Sequence, residues 1–192
     1  LTIEKIKQAV EKYEPVVVQK DLLEEYTQEA GVLVALYEEQ NSLQVILTRR
    51  SPHLSSHAHQ VSFPGGHQEK VDKDLWSTAL REAHEETGLD PSLPKKIGEL
   101  DPIVTVGSGT LIYPFVALLP HRPELKANSA EVETIRHVDL AELLKEETWR
   151  EEYWEREERS HAVTFFEIPN ETIWGATANI LRQLLTLGLG IV

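Results

Sequence analysis

The stretch Gly65–Leu89, GGHQEKVDKDLWSTALREAHEETGL, organises the rest of the chain. No glycine or proline interrupts positions 75–87, and small or apolar residues return every fourth position from Leu75, which predicts a helix. Gly88 follows at the place where helices commonly end on a left-handed glycine. We therefore predict one helix over 75–87, closed by Gly88.

Three glutamates of this helix share one of its surfaces. At about 100° per residue, Glu82 and Glu86 lie about 40° apart, and Glu85 lies on the adjoining flank. Like charges at this spacing destabilise a helix by roughly a few tenths of a kcal/mol, so a cation is expected to compensate them. Carboxylate oxygens suit Mg²⁺ or Mn²⁺. A solvated helix face in an acidic protein has the same pattern, and the helix alone does not decide between the two.

The residues around the helix resemble the signature of the Nudix hydrolases, G-x5-E-x7-R-E-U-x-E-E-x-G-U, in which U is aliphatic. The second half matches as Arg81-Glu82-Ala83-His84-Glu85-Glu86-Thr87-Gly88-Leu89. The first half is one residue longer here, because Gly66 to Arg81 spans fifteen positions where the signature has fourteen. Asp72 takes the place of the first glutamate when counted from Gly66, and Lys73 when counted from Arg81. The roles of Asp72 and Asp74 stay open.

The resemblance implies a fold and a set of site residues. The fold is of the α/β class (α+β type), an α/β/α sandwich with a mixed β-sheet between helices. The implied metal ligands are Glu82, Glu85 and Glu86, holding Mg²⁺ or Mn²⁺, and Arg81 orients a neighbouring carboxylate. Glu131 is a candidate general base, alongside a glutamate of the signature or a histidine. The residues implied in cofactor binding are Arg50, Ser51, Gly65 and Gly66.

The segment before the glycines resembles one branch of the family, the coenzyme A pyrophosphatases. That branch carries the leader L-L-T-x-R-S-x3-R-x3-G-x3-F-P-G-G, and residues 46–66 keep its spacing. Ser55 stands where the branch has arginine, and His59 stands where it has glycine. The resemblance implies a small-molecule nucleoside diphosphate substrate of the coenzyme A type, cleaved to 3′,5′-ADP and 4′-phosphopantetheine. The alternatives are another nucleoside diphosphate derivative such as ADP-ribose, or a non-catalytic Nudix-fold protein that binds nucleotides.

Length and composition set further expectations. The 192 residues, 41% of them hydrophobic and 27% charged, suit one domain over 1–192, with a helical extension at about 1–28. The formal charge of −13 argues against a nucleic-acid partner. No apolar run is long enough for a membrane span, and we expect a cytoplasmic protein. The absence of cysteine excludes disulfides and thiolate chemistry.

Hydrophobic patterns predict the remaining elements. Two apolar runs, 31–37 and 43–48, indicate a hairpin at the centre of the sheet. The other predicted strands are 61–63, 97–106, 111–119, 133–138 and 162–168, and the other predicted helices are 1–13, 139–147 and 172–187. The charged run 149–159 is typical of a solvated excursion. Its aromatic residues, Trp149, Tyr153 and Trp154, suit either stacking on adenine or the seam of a homodimer.

Overall fold

The computed structural model describes residues 1–18, 28–54, 57–105, 109–156 and 159–190. Its helices are α1 (Ile3–Lys12), α2 (Leu75–Thr87) and α3 (Gly175–Leu189), with a short 3₁₀ helix at Glu142–Leu144. Its strands are β1 (Gln28–Glu39), β2 (Ser42–Arg50), β3 (Val61–Ser62), β4 (Gly65–His67), β5 (Lys95–Glu99), β6 (Ile103–Val104), β7 (Thr110–Leu118), β8 (Val132–Asp139), β9 (Trp149–Arg156), β10 (Arg159–Ile168) and β11 (Glu171–Trp174).

Strand β1 is the centre of the main sheet. It pairs in parallel with β7 and antiparallel with β2 and β4, so the sheet is mixed. The main path runs β3-β2-β1-β7-β5, and β8 pairs with β2 beside it. Strands β9, β10 and β11 form a separate antiparallel sheet in the order β11-β10-β9. The predicted hairpin of the two apolar runs is confirmed.

Helices cover both faces of the main sheet because the side chains of β1 alternate between two apolar clusters. Leu33 and Ala35 pack with Ala79 of α2 on one face. Val34 packs with Leu181 of α3 on the other, in the cluster that also contains buried residues of α1. The predicted mixed sheet between helices is therefore confirmed. None of the helices in the described part of the chain has both the length and the apolarity of a membrane span.

The helix predicted over 75–87 is confirmed with the same bounds, and Gly88 ends it with a φ of 69°. The predicted strand 97–106 is instead two short strands, β5 and β6. Asp101 lies between them and accepts hydrogen bonds from the Tyr13 hydroxyl (2.7 Å) and from Gln183 Nε2 (2.7 Å). Through these contacts the segment around Asp101 is connected to the N-terminal segment and to α3. Its pairing with β7 is interrupted at this point.

Three predictions in the C-terminal half were wrong. The helix expected from Asp139 is only the 3₁₀ helix, because the Asp139 carboxylate caps a single turn at Ala141 N. The run 149–159 is largely strand, since β9 pairs with β10 along its length. The helix expected from 172 begins at Gly175, because the residues before it form β11. A dimer seam at the exposed aromatic residues of β9 stays a prediction.

Helix α2 lies almost in backbone contact with the central strand. A methyl group added to Gly31 of β1 would lie 2.2 Å from the carbonyl oxygen of Leu75, at the first turn of α2. Atoms cannot approach so closely, and a helix carbonyl cannot rotate away as a flexible side chain can. Glycine at this position is therefore what lets the glutamate-bearing helix sit against the sheet.

We expect Gly31→Ala to lower the free energy of unfolding by about 1–3 kcal/mol, the usual cost of overpacking. It should also reduce activity, because the helix that carries the glutamates must shift. Gly190→Ala is the control, since nothing lies within 4 Å of the added methyl group. The control should lower the free energy of unfolding by only about 1–2 kcal/mol, because alanine disfavours the left-handed backbone conformation, and it should keep activity. Urea denaturation and a turnover assay measure both, and full activity in Gly31→Ala would contradict the packing argument.

Candidate active site

Helix α2 begins at a cap that orients its first turn. The Asp74 side chain accepts hydrogen bonds from the backbone N–H of Ser77 (2.8 Å) and from the Ser77 hydroxyl (2.7 Å). These bonds lower the pKa of Asp74 and satisfy a backbone donor that the helix itself leaves free. Asp74 is thus the N-cap of the helix, which gives it a structural role.

The guanidinium of Arg81 joins the helix to the loop before it. Its Nε and Nη2 donate to the two carboxylate oxygens of Asp72 at 2.8 and 2.9 Å. Its Nη1 donates to Glu82 at 2.9 Å and to Glu85 at 3.0 Å. Nη2 also donates to the carbonyl of His67 at 3.1 Å. All five N–H groups of the guanidinium therefore have an acceptor.

Asp72 is the carboxylate that the longer loop places opposite Arg81. Its side chain is 3% exposed, and it also accepts from the Thr78 hydroxyl (3.0 Å) and from the backbone N–H of Glu69 (2.9 Å). The bonds from Arg81 hold the pKa of Asp72 well below its usual range. Of the two residues that the counts allow, Asp72 therefore contacts Arg81, and its part in activity stays a prediction.

Glu86 is a buried carboxylate with few partners. The residue is 3% exposed, and its Oε2 accepts a hydrogen bond from the backbone N–H of Gly65 at 3.2 Å. Burial raises its pKa to about 8, although the bond from Gly65 and the charge of Arg50 act in the opposite direction. Glu82 and Glu131 raise it further, which shows that their negative charges act at the same place.

Glu82 shares this surface with Glu86 and faces the second glycine. Burial raises the pKa of Glu82, against the lowering effect of Arg81. A methyl group on Gly66 would lie 2.5 Å from the carboxylate carbon of Glu82. Any side chain at position 66 would therefore displace the Glu82 carboxylate. Gly65 has a φ of 153°, and a methyl group there would lie 2.4 Å from the carbonyl oxygen of Gly31.

The remaining predicted site residues lie around this pair. Glu85 has a side chain that is 50% exposed and is held by Arg81. The carbonyl of Glu131 accepts from the backbone N–H of Ser51 (2.8 Å), which ties the Glu131 loop to the end of β2. Arg50 is partly buried, and its Nε has no hydrogen-bond partner among the described residues. Its positive charge acts on Glu86, which makes it suited to an anionic group placed beside the carboxylates.

The oxygen donors of this surface are of the kind that bind a hard divalent cation. Among the described residues, however, no group of three or more histidine or acidic side chains is already arranged to hold a metal ion. Burial raises the pKa values of Glu82 and Glu86, and the charges of neighbouring glutamates raise them further, as expected for buried carboxylates that lie near one another. Oxygen-only ligands with room for water and phosphate are typical of Mg²⁺ and Mn²⁺ sites.

Two further residues, Glu133 and His59, contact Arg49. Glu133, close to Glu131 in sequence, has its Oε2 3.0 Å from Arg49 Nε and 3.6 Å from His59 Nδ1. His59 has a φ of 63°, in the left-handed region where glycine is favoured. This backbone conformation explains why glycine suits the corresponding leader position. Ser55 lies outside the described residues.

The fold is a mixed sheet between helices, and the site lies on a glutamate-bearing helix that follows two glycines. Together, this fold and this site define a class of protein. A family model described as the NUDIX domain matches residues 27–159, more than half of the chain. The chain therefore belongs to the Nudix hydrolase family, whose members act on pyrophosphate bonds and generally use divalent ions such as Mg²⁺ or Mn²⁺.

Curated relatives of this family share about two fifths of their aligned residues with the chain. An uncharacterised Nudix hydrolase named NudL, from Photorhabdus laumondii subsp. laumondii, is 41% identical over 73% of this chain and 74% of its own length. Nudix hydrolase 22, chloroplastic, of Arabidopsis thaliana is 40% identical over 82% of this chain. The match spans 54% of the plant protein, about half of its length.

Solved structures show the same fold at low sequence identity. A MutT/nudix family protein from Enterococcus faecalis aligns with a TM-score of 0.59 at 14% identity, over 99% of this chain and 70% of that one. The NUDIX domain of NrtR from Shewanella oneidensis, crystallised with ADP ribose, aligns with a TM-score of 0.51 at 20% identity. That alignment covers 75% of this chain and 87% of the other.

We expect Asp72→Asn to reduce stability at pH 7, because it weakens the paired bonds to Arg81. The pKa of Asp72 is lowered in the folded state, so its contribution is present above the unfolded value of about 3.9 and is lost as the pH falls below it. The stability gap between wild type and variant should therefore shrink from pH 7 to pH 3 in urea titrations. A gap that stays constant with pH would show that the Asp72 charge contributes nothing.

We expect Arg81→Lys to lower kcat more than it raises KM, because an ammonium cannot replace the planar fork that fixes Asp72, Glu82 and Glu85. Steady-state kinetics at saturating metal separate the two parameters. Arg182→Lys on α3 is the matched control, since Arg182 pairs with Glu151 at the surface. An unchanged kcat in Arg81→Lys would remove its orienting role.

We expect Glu86→Gln, and separately Glu82→Gln, to abolish most activity and to leave the metal-free protein at least as stable as wild type. Each change replaces a carboxyl group whose charged form is disfavoured by burial with a neutral amide of about the same volume. Thermal unfolding in EDTA and turnover with Mg²⁺ test the two halves of the prediction, with the exposed Glu11→Gln on α1 as the control. If both variants kept near wild-type turnover at saturating metal, these glutamates would not be metal ligands.

Proposed function

We propose that the chain is a metal-dependent pyrophosphatase that hydrolyses the diphosphate of coenzyme A or its acyl or oxidised derivatives. The enzymatic part is supported by three neighbouring glutamates, Glu82, Glu86 and Glu131, whose charges act on one another, and by Arg50, whose Nε has no hydrogen-bond partner among the described residues. A site that must neutralise phosphate oxygens and place a water molecule needs such a set of groups.

Each residue then has a task. Glu82, Glu85 and Glu86 would hold Mg²⁺ or Mn²⁺, and the bound ion would lower the pKa of water and neutralise phosphate charge. Arg81 keeps Glu82 and Glu85 in place through Nη1. Arg50, next to Ser51 at the end of β2, binds a phosphate oxygen through its guanidinium. Glu131 is the candidate that accepts the proton from water.

The enzyme is favoured over a protein that only binds nucleotides. Burying a carboxylate as deeply as Glu86, at 3% exposure with a pKa of about 8, opposes folding of the metal-free chain. Proteins keep such costly groups chiefly at functional sites, where a shifted pKa or a bound cation is used. A protein that only binds a nucleotide requires neither a shifted pKa nor a bound cation.

Coenzyme A is the first substrate candidate because residues 46–66 keep the spacing of the coenzyme A leader. The second candidate is ADP-ribose. Ser55 and His59 replace the arginine and the glycine of that leader, and the NUDIX domain of Shewanella NrtR was crystallised with ADP ribose. Coenzyme A carries a 3′-phosphate that ADP-ribose lacks, and an arginine would recognise this phosphate through a charge-assisted bond.

The test is a pyrophosphatase screen with Mg²⁺ and Mn²⁺ over coenzyme A, its acyl and oxidised forms, ADP-ribose, dinucleoside polyphosphates and NADH. We expect hydrolysis of coenzyme A with a high KM, because a lost charge-assisted bond is worth about 1.5–3 kcal/mol, or about one to two orders of magnitude in affinity. Ser55→Arg should lower this KM and leave that of ADP-ribose unchanged. Much faster cleavage of ADP-ribose, with no effect of Ser55→Arg, would assign the second substrate.

A further inference from the structure

The hydroxyl of Thr78 is a buried polar group to which the chemistry above gives no task. Thr78 lies on α2, one turn before Arg81, and is fully buried. Its Oγ1 lies 3.0 Å from Asp72 Oδ2 and 3.2 Å from the backbone carbonyl oxygen of Asp74. A hydroxyl has one proton to donate, and a bond to a carboxylate is stronger than a bond to a neutral carbonyl. Thr78 therefore donates to Asp72.

The Asp72 carboxylate meets both Thr78 and Arg81 because the two side chains are neighbours on the helix. Residues three positions apart lie side by side on a helix surface. Arg81 donates to Asp72 from Nε at 2.8 Å and from Nη2 at 2.9 Å. The backbone N–H of Glu69 donates to Asp72 Oδ2 at 2.9 Å. The carboxylate is thus held by the hydroxyl, by its own loop and by the guanidinium.

The paired bonds between Asp72 and Arg81 require one orientation of the carboxylate. Both carboxylate oxygens must align with the two N–H groups of the planar fork. The last side-chain torsion of an aspartate has broad energy minima, so the side chain alone does not fix this orientation. The Thr78 hydroxyl and the Glu69 N–H restrict the rotation, because both donate to the same oxygen, Oδ2.

The orientation of the Arg81 guanidinium is passed on to two glutamates. Its Nη1 donates to Glu82 at 2.9 Å and to Glu85 at 3.0 Å. The guanidinium is rigid and planar, so a rotation at the end that faces Asp72 also moves Nη1. Two intervening side chains, those of Asp72 and Arg81, therefore connect the Thr78 hydroxyl to the glutamates.

A second buried threonine of α2 shows how the helix satisfies such a hydroxyl by itself. Thr87 is 1% exposed, and its Oγ1 donates to the carbonyl oxygen of Ala83, four residues earlier, at 2.5 Å. This is a common partner for a threonine within a helix. Thr78 has the equivalent carbonyl, that of Asp74, within reach. Its bond to Asp72 is therefore not needed to satisfy the buried hydroxyl.

We propose that Thr78 is a positioning residue of the metal site, which acts on the glutamates through Asp72 and Arg81. The proposal rests on the proposed function, because it concerns glutamates that are assigned there to the metal ion. The hydroxyl restricts the rotation of Asp72, and Asp72 keeps the guanidinium in place. The guanidinium in turn holds Glu82 and Glu85 in the orientation in which they meet the ion.

Thr78→Val tests this role, because it removes the hydroxyl and nearly keeps the volume of the side chain. We expect it to weaken Mn²⁺ binding and to lower kcat by about 10-fold each, the lower end of the effect of outer-shell partners, with little change in KM. Electron paramagnetic resonance measures free Mn²⁺ during a titration and needs no turnover. Thr78→Ser keeps the hydroxyl and lacks the methyl group. It should recover most of both losses, whereas a packing role would make it worse than valine.

Thr87→Val is the matched control on the same helix. It also removes a buried hydroxyl, but one that donates to a backbone carbonyl and not to Asp72. We expect this variant to keep the Mn²⁺ affinity and the kcat of wild type.

A double-mutant cycle with Asp72→Ala shows whether Thr78 acts through Asp72. Thr78→Val should have no further effect on Mn²⁺ affinity once the Asp72 carboxylate is removed. Additive losses in the cycle would overturn the proposal. Wild-type Mn²⁺ affinity and kcat in Thr78→Val, or no recovery in Thr78→Ser, would overturn it as well.

Glu82→Gln separates this inference from the proposed function. If Glu82→Gln loses Mn²⁺ binding while Thr78→Val binds as wild type does, only the role of Thr78 is wrong. If Glu82→Gln binds Mn²⁺ as tightly as wild type, the proposed metal site is wrong. Hydrogen exchange of the Arg81 Nε–H, followed by NMR, then tests the link by itself. Faster exchange in Thr78→Val than in Thr87→Val would support the link, and equal exchange would overturn it.

Discussion

The site depends on one side chain, the guanidinium of Arg81. Its five N–H groups connect helix α2 to the loop that precedes it through Asp72, and to β4 through the His67 carbonyl. The same fork holds Glu82 and Glu85 on the helix surface. The loop is one residue longer than in the family signature, and from it Asp72, whose side chain is one methylene shorter than glutamate, reaches the guanidinium of Arg81. The position of the glutamates is fixed by this network as much as by the helix.

Close backbone approach is the second constraint. Glycine is required where α2 meets β1 at Gly31 and where β4 meets β1 at Gly65, because a methyl group there would lie 2.2 or 2.4 Å from a backbone carbonyl oxygen. At Gly66, a methyl group would lie 2.5 Å from the carboxylate carbon of Glu82 and would displace that side chain. The present position of α2 against the sheet therefore depends on Gly31, and the present position of the Glu82 carboxylate depends on Gly66.

Local patterns predicted the parts of the molecule that are held together locally. Helix α2, its glycine cap and the β1–β2 hairpin follow from periodicity over a dozen residues, and the structure keeps their positions. Strand β9 was missed because Arg150, Glu152 and Glu151 give an outer strand the composition of a solvated segment. Asp72 stayed ambiguous because a count along the sequence cannot show which of two neighbouring residues a loop turns inward. The pairing of Arg49 with Glu171 had no signal at all, because the two residues lie 122 positions apart in the sequence.

Two glutamates of this chain are buried to a similar degree and show where a cation belongs. Glu171, with a side chain 4% exposed, accepts hydrogen bonds from two arginines, so its charge is matched within the protein. Glu86, 3% exposed as a residue, accepts a hydrogen bond from the backbone N–H of Gly65 at 3.2 Å. Burial raises its pKa to about 8, and the charges of Glu82 and Glu131 act in the same direction, against the charge of Arg50. Among the described residues, arginine side chains donate hydrogen bonds to Glu171 but not to Glu86. A divalent ion would bring to Glu86 the positive charge that the arginines bring to Glu171.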